Sequence, residues 1–250
     1  MTLPDTVNWL EQLTIAVIAK ECLPGRVKTR LTPPLSPAQA AALAQTSLSQ
    51  TLETVRQLPA RYRLLVMDGC PLAHDAAGFR VLPQVTGGLD LRLAAVCAAV
   101  EGPLLILGMD TPQVSAAALD SLFRDWSSGG SSSAGFPAAR ARRDAWLGLA
   151  EDGGFWALAL AVPDPALIRG VPMSTPQTGG AQYERLLAAG LSVGMLPPLR
   201  DVDQFQDALA VARLCPETPF AREIRRLECR RLAGRRSELR FPALPSGAQQ

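Results

Sequence analysis

The chain carries 25 basic residues but only two lysines, and both fall in one short segment, Ala19-Lys20-Glu21-Cys22-Leu23-Pro24-Gly25-Arg26-Val27-Lys28-Thr29-Arg30-Leu31. An ammonium is a compact, rotatable point charge suited to phosphate oxygens, whereas guanidinium is a planar fork, so a phosphate site would keep lysine in an arginine-biased chain. Gly25 permits an unusual backbone turn, and Lys20, Arg26, Lys28 and Arg30 around it could surround a polyphosphate. Carboxylates occur in two further short segments, Asp110 in Gly108-Met109-Asp110-Thr111-Pro112 and Glu151 with Asp152 in Ala150-Glu151-Asp152-Gly153-Gly154. Two carboxylate loops facing a basic loop suit a divalent cation, Mg²⁺ or Mn²⁺, that bridges them to a diphosphate. Singly, each piece has an ordinary explanation as a helix cap, a turn or a solvated loop. Their joint placement at strand ends favours the nucleotide reading.

Other chemistries have little material. His74 is the single histidine and sits beside Asp75 in a polar turn, which argues against a histidine triad or a multi-histidine zinc site. The five cysteines, at 22, 70, 97, 215 and 229, are scattered and odd in number, so they read as reduced thiols. The longest apolar runs fall far short of the roughly 20 residues of a membrane span, and the N-terminus does not read as a secretory signal. A cytoplasmic chain is expected. Net charge is +2, but residues 218 to 250 hold eight Arg against three Glu. Arg222, Arg225, Arg226, Arg230 and Arg231 have helical spacing without interleaved aromatics, which reads as a solvated basic face rather than a nucleic-acid groove.

The elements that must position these groups alternate. Thr14 to Ala19, Tyr62 to Met67, Phe79 to Leu82 and Leu104 to Leu107 are short apolar runs that read as buried strands. Between them, Ser36-Pro37 with Gln39 opens a long helix through a capping box, and Leu89 to Val100 shows one apolar helical face. Val114 to Trp126 reads as a helix, and Ser127 to Gly135, followed by Arg140, Arg142 and Arg143, as a mobile surface loop. Ala145 to Leu149 and Phe155 to Ala161 read as strands around the acidic turn, Ala181 to Ala189 as a helix and Leu191 to Leu196 as a last strand. Asp203 to Leu214 reads as a helix capped by Asp203. The expectation is a three-layer α/β/α domain with a mainly parallel mixed sheet over residues 1 to 217, and an Arg-rich helix and tail over 218 to 250. In such sheets ligands bind beyond the carboxyl ends of the strands, where all three charged loops fall.

The segment from Ala19 to Leu31 also resembles the opening signature of the radical-SAM/selenodomain-associated transferase 1 family, labelled arsenosugar-biosynthesis-type glycosyltransferases. Gly108 to Pro112, Ala150 to Phe155, Val171-Pro172-Met173-Ser174-Thr175 and Asp201-Val202-Asp203 with Asp207 follow in the family order, over about residues 13 to 214. The resemblance implies a glycosyltransferase-A-like nucleotide-diphospho-sugar transferase fold, shared with the guanylyltransferases acting on 2-phospholactate and on molybdenum cofactor. It implies that Asp110 holds the metal on the nucleotide phosphates and that Asp152 is a second metal ligand or faces the acceptor. Glu151, Gly153, Ser174 and Thr175 would then touch the acceptor or support the groups that do. Departures also occur. In Gly87-Gly88-Leu89-Asp90-Leu91-Arg92 the acidic residue is displaced by two positions, about 200° around a helix. Cys22, Phe155 and Met173 stand where proline, tyrosine and tryptophan are common, which points to an altered acceptor pocket. Three readings stay open. They are glycosyl transfer from a nucleotide sugar to a small acceptor, nucleotidyl transfer from an NTP to a phosphorylated small molecule, and a non-catalytic nucleotide- or protein-binding relative.

Overall fold

Apolar runs too short for helices become the inner strands of a seven-stranded sheet. The computed structural model describes residues 8–127 and 142–238. The Ser- and Gly-rich stretch from 128 to 135, Arg140 and the tail beyond 238 lie outside the described residues. The strands are β1 (Thr14–Lys20), β2 (Tyr62–Asp68), β3 (Arg80–Pro83), β4 (Leu104–Gly108), β5 (Ala145–Ala150), β6 (Phe155–Leu160) and β7 (Val193–Leu199). Their order across the sheet is β3-β2-β1-β4-β6-β5-β7. β6 alone of the seven runs antiparallel to its neighbours, so the sheet is mixed but mainly parallel.

The helices are α1 (Pro37–Gln57), α2 (Ala73–Ala76), α3 (Leu89–Ala98), α4 (Asp120–Ser127), α5 (Thr178–Ala188), α6 (Phe205–Leu214) and α7 (Pro219–Glu238). Side chains alternate across each strand, so Ile15 and Val17 join one core beneath α1 and α4 while Ala16 joins the other beneath α3 and α5. Both faces are covered, which explains why the inner strands read as continuous apolar runs. A third cluster forms where Leu31, Leu35 and Leu43 meet Phe205, Phe220 and Leu227, so α6 and α7 clamp the outer side of α1.

The expected start of α1 is present: Ser36 Oγ accepts from Gln39 N at 3.2 Å while Ser36 N donates to Gln39 Oε1 at 2.8 Å. Four expectations need correction. Asp203 does not cap α6; Gln204 is the cap, and Asp207 accepts from Gln204 N at 2.7 Å. The last strand runs past Leu196 through Pro197 and Pro198, which an edge strand tolerates because its outer N–H groups need no partner. α5 begins at Thr178, three residues early, because Thr178 Oγ1 accepts from Thr175 N and closes the first turn. The segment from Val114 is a turn and a short 3₁₀ stretch, Ala117–Leu119, before α4 proper. Arg222, Arg225, Arg226 and Arg230 of α7 are exposed, and Arg231 lies over the Phe205 ring at 4.7 Å. No helix among the described residues is long and apolar enough to cross a membrane. All five cysteines are free.

Because Phe220 is fully buried between α1, α6 and α7, Phe220→Ala is expected to cost about 3–5 kcal/mol of stability in urea unfolding. A cost under about 1 kcal/mol would show that α7 does not hold α1 in place.

Candidate functional site

At the carboxyl edge of β1, β4, β5 and β7 the connecting loops enclose a cleft of about 790 Å³. The basic loop after β1 forms one side of it. Val27 is buried in the core beneath α1 and Leu31 in the cluster with α6 and α7, so apolar anchors grip the chain on both sides of Lys28. Lys28 itself has φ 48° and ψ 41°, a left-handed conformation unfavourable for a side-chain-bearing residue. Those anchors and that turn aim its ammonium inward: the side chain is only 9% exposed and Nζ lies 3.0 Å from Asp110 Oδ1. Lys20, the last residue of β1, lines the cleft and is exposed. Arg30 also lines it and pairs with Asp203 at 2.7 Å. Gly25, with φ 75°, and exposed Arg26 sit at the tip of the loop and are not among the lining residues.

Asp110 follows β4 and its backbone is held from two directions. Val202 N donates to Asp110 O at 2.9 Å, and Ser47 Oγ of α1 donates to Met109 O at 2.8 Å. Asp152 belongs to the turn between β5 and β6, where its Oδ1 accepts from Gly154 N at 2.8 Å. That turn packs tightly on the segment before α5: Gly153 has φ 90°, and a Cβ there would come within 2.0 Å of Pro176 O. Gly153 thus shapes the site without lining it. Glu151 does not line it either; its carboxylate is taken by Arg200, with Nε–Oε2 at 2.6 Å. Ser174, at φ 59°, and Thr175 do line the cleft, as do Asp152, Phe155 and Met173. Asp90 is elsewhere, accepting from Gly170 N at 2.9 Å.

Asp201 is the residue that the sequence reading passed over, although it stands in Asp201-Val202-Asp203. Burial and the nearby Asp152 charge push its carboxyl up to about 6, with Lys28 opposing and Asp110 adding to the shift. Gln84 and Arg92 also border the cleft: Gln84 Nε2 donates to Ala19 O at 2.7 Å, and Arg92 donates to Gln84 Oε1 at 2.9 Å and to Asp68 at 3.0 Å. Neither had a legible signal in sequence, because each depends on pairing between the β1 and β2 ends. Three carboxylates around one lysine leave local negative charge that a divalent cation would offset. Among the described residues no group of three potential ligands could hold a metal unaided. Mg²⁺ or Mn²⁺ fits here as it fits many nucleotide sites, with one or two carboxylates and the remaining ligands from phosphate and water.

Residues 50–175, half of the chain, match the family described as "Uncharacterized protein conserved in bacteria (DUF2064)". The chain belongs to the DUF2064 family. No curated protein matches it. Among solved structures, this DUF2064 chain superimposes on a provisionally named nucleotide-diphospho-sugar transferase from Desulfovibrio desulfuricans G20. The TM-score is 0.72 at 20% identity, over 90% of this chain and 97% of that one. A CMP:2-keto-3-deoxy-manno-octonic acid synthetase complexed with CTP aligns with TM-score 0.51 at 14% identity, over 82% of this chain and 99% of that one. These likenesses establish the fold of the DUF2064 chain as that of the nucleotide-diphospho-sugar transferases.

The raised Asp201 carboxyl has a consequence for stability. Its folded value near 6 exceeds the reference 3.8, so the native state binds more protons in that window and loses stability as pH rises through it. Asp201→Asn is therefore expected to gain on the order of 1 kcal/mol at about pH 8, after discounting for partial exposure, and to gain nothing below about pH 4. Urea unfolding at the two pH values checks this.

Proposed function

We propose that this DUF2064 protein is a metal-dependent glycosyltransferase that moves a sugar from a nucleotide diphosphate to a small acceptor. The observation that carries the reading is the Lys28–Asp110 contact of 3.0 Å. It brings the two types of group that a metal-diphosphate complex needs, a cation for the phosphates and a carboxylate for the metal, to one point at the sheet's carboxyl edge. Two independent likenesses support it. The motifs from Ala19 to Leu31 and from Asp110 to Asp203 resemble those of the radical-SAM/selenodomain-associated transferase 1 family, and the fold is that of a protein named as a nucleotide-diphospho-sugar transferase.

In this reading Lys20 and Lys28 hold the diphosphate, with Arg30 braced by Asp203 at its margin and Gly25 and Arg26 shaping the loop tip. Asp110 anchors Mg²⁺ or Mn²⁺, which when bound would supply positive charge to the departing diphosphate. Asp152 faces the acceptor beside Asp201, with Ser174 and Thr175 in reach of its polar groups; Glu151 and Gly153 brace the turn. The acceptor oxygen bonds to the anomeric carbon as the bond from that carbon to the diphosphate breaks. Asp201, with its carboxyl near 6, is suited to take the acceptor proton near neutral pH.

A second reading, nucleotidyl transfer from an NTP to a phosphorylated small molecule, is favoured by the basic loop and by the synthetase that shares the fold and binds CTP. One assay separates the two. With Mn²⁺, a nucleotide-sugar panel is expected to yield a nucleoside diphosphate, and an NTP panel no pyrophosphate. Asp110→Asn should reduce turnover by about 100-fold or more while melting as a folded protein. Pyrophosphate release would favour the second reading, and full activity of the variant would remove Asp110 from the mechanism.

A further inference from the structure

Strand order limits how the parts of a nucleotide sugar can lie along the cleft. Lys28 and Asp110 meet where the loops after β1 and β4 come together, Asp152 and Asp201 follow β5 and β7 on the far side of β4, and β2 lies on the other side of β1. A diphosphate at the Lys28–Asp110 junction has the sugar on one side and the nucleoside on the other. In the proposed function the sugar must meet the acceptor near Asp152 and Asp201, so the nucleoside extends toward the ends of β1 and β2 and the start of α3. The end of β2 is two strand positions from β4, about 10 Å, a distance that a ribose and a base can bridge.

The polar side chains that β1, α3 and the segment joining β3 to α3 contribute to the cleft are Lys20, Gln84 and Arg92. Gln84 is committed to the fold. Its Nε2 donates to Ala19 O at 2.7 Å and to Val66 O at 3.0 Å, so the amide cannot turn round without setting its oxygen against two carbonyls, and Oε1 accepts from Arg92 Nη1 at 2.9 Å. Arg92 is fixed in turn, with Nε donating to Gly87 O at 3.0 Å and Nη1 also donating to Asp68 Oδ2 at 3.0 Å. Asp68 itself does not line the cleft. Among the described residues Arg92 Nη2 has no hydrogen-bond partner, and neither has the Lys20 ammonium. Both groups donate only. With Lys20 given to the diphosphate, Arg92 is left for the nucleoside.

We propose that Arg92 reads the nucleobase and that the donor carries a keto base, uracil or guanine, rather than an amino base, cytosine or adenine. The inference rests on the glycosyltransferase reading above and deepens it by naming the base class of the donor. Uracil O4 and guanine O6 are acceptors at the positions where cytosine and adenine bear an NH₂ donor. At a guanidinium held in place, a keto base gains a charge-assisted hydrogen bond, whereas an amino base sets donor against donor. Ile18, Leu93 and Ile106, which line the cleft and pack together beneath α3, give the ring an apolar floor. Gln84 is a positioning residue, since it holds Arg92 and has its own polar groups engaged.

Calorimetry on the full chain with Mn²⁺ compares UDP with CDP and GDP with ADP, pairs that share a ring size and exchange a keto for an amino group. In the ring size that binds tighter, the keto member should be favoured by about tenfold, and Arg92→Leu should bring the two within about twofold by weakening the keto member alone. Gln84→Leu, which keeps Arg92 itself, should narrow the same ratio and carries the test if Arg92→Leu does not fold. Equal affinity within both pairs, tighter binding of an amino member, or a ratio unmoved by these variants would overturn the proposal. So would an Arg92→Leu loss shared equally by all four nucleotides, which would make Arg92 a phosphate contact. Nucleotide binding with the wrong base preference defeats this inference alone, whereas no binding of any of the four defeats the proposed function and this inference together.

Discussion

An ammonium group that is almost removed from water must be neutralised where it stands, and Lys28 is such a group, with 9% of its side chain exposed and Asp110 3.0 Å away. Much of the site can be traced to that constraint. Val27 and Leu31 are buried to fix the loop, the backbone at Lys28 adopts a left-handed turn, and Val202 and Ser47 pin the segment that carries Asp110. Asp201 and Asp152 stand beside them, and burial, followed by the Asp152 charge, raises the Asp201 carboxyl to about 6. In the proposed function, a divalent cation arriving with a diphosphate would offset that negative charge.

The sheet order explains how such distant residues meet. β1 and β4 are neighbours, with the chain turning outward on either side of them, so the loops after Lys20 and Gly108 border the crevice where the strand order reverses. β5 and β7, parallel to both, deliver Asp152 and Asp201 to the same edge. The antiparallel β6 lets the acidic turn form directly between β5 and β6, a tight connection that parallel neighbours could not make. Gly153 permits that turn to rest on Pro176 and so couples Asp152 to the segment with Ser174 and Thr175.

Most of this architecture was legible in the sequence, since buried parallel strands and capped helices leave periodic signals. The long helix from Pro37 announced itself through Ser36 and Gln39, and the three charged loops followed predicted strands. What was not legible depended on partners remote in sequence. Arg26 looked equivalent to Lys28, but only the latter is turned inward by its buried neighbours. Glu151 looked equivalent to Asp152 until Arg200 took its carboxylate. Asp203 looked like a helix cap because it precedes a helical run, yet Arg30, 173 residues earlier, holds it instead. Asp201 gave no sign of its role, because its environment comes from four separate loops. Nothing in the sequence spacing explains the displaced acid at Asp90, whose carboxylate accepts from Gly170 N.

The central claim is that the Lys28–Asp110 junction receives a nucleotide diphosphate together with a divalent cation. Thermal unfolding of the protein with nucleotide sugars, nucleoside diphosphates and inorganic phosphate, each with and without Mn²⁺, tests it most directly. A ligand at about 100 times its dissociation constant should raise the midpoint by about 5–10 °C, selectively for one nucleotide and only when the metal is present. Stabilisation indifferent to metal, or none with any nucleotide, would contradict the account.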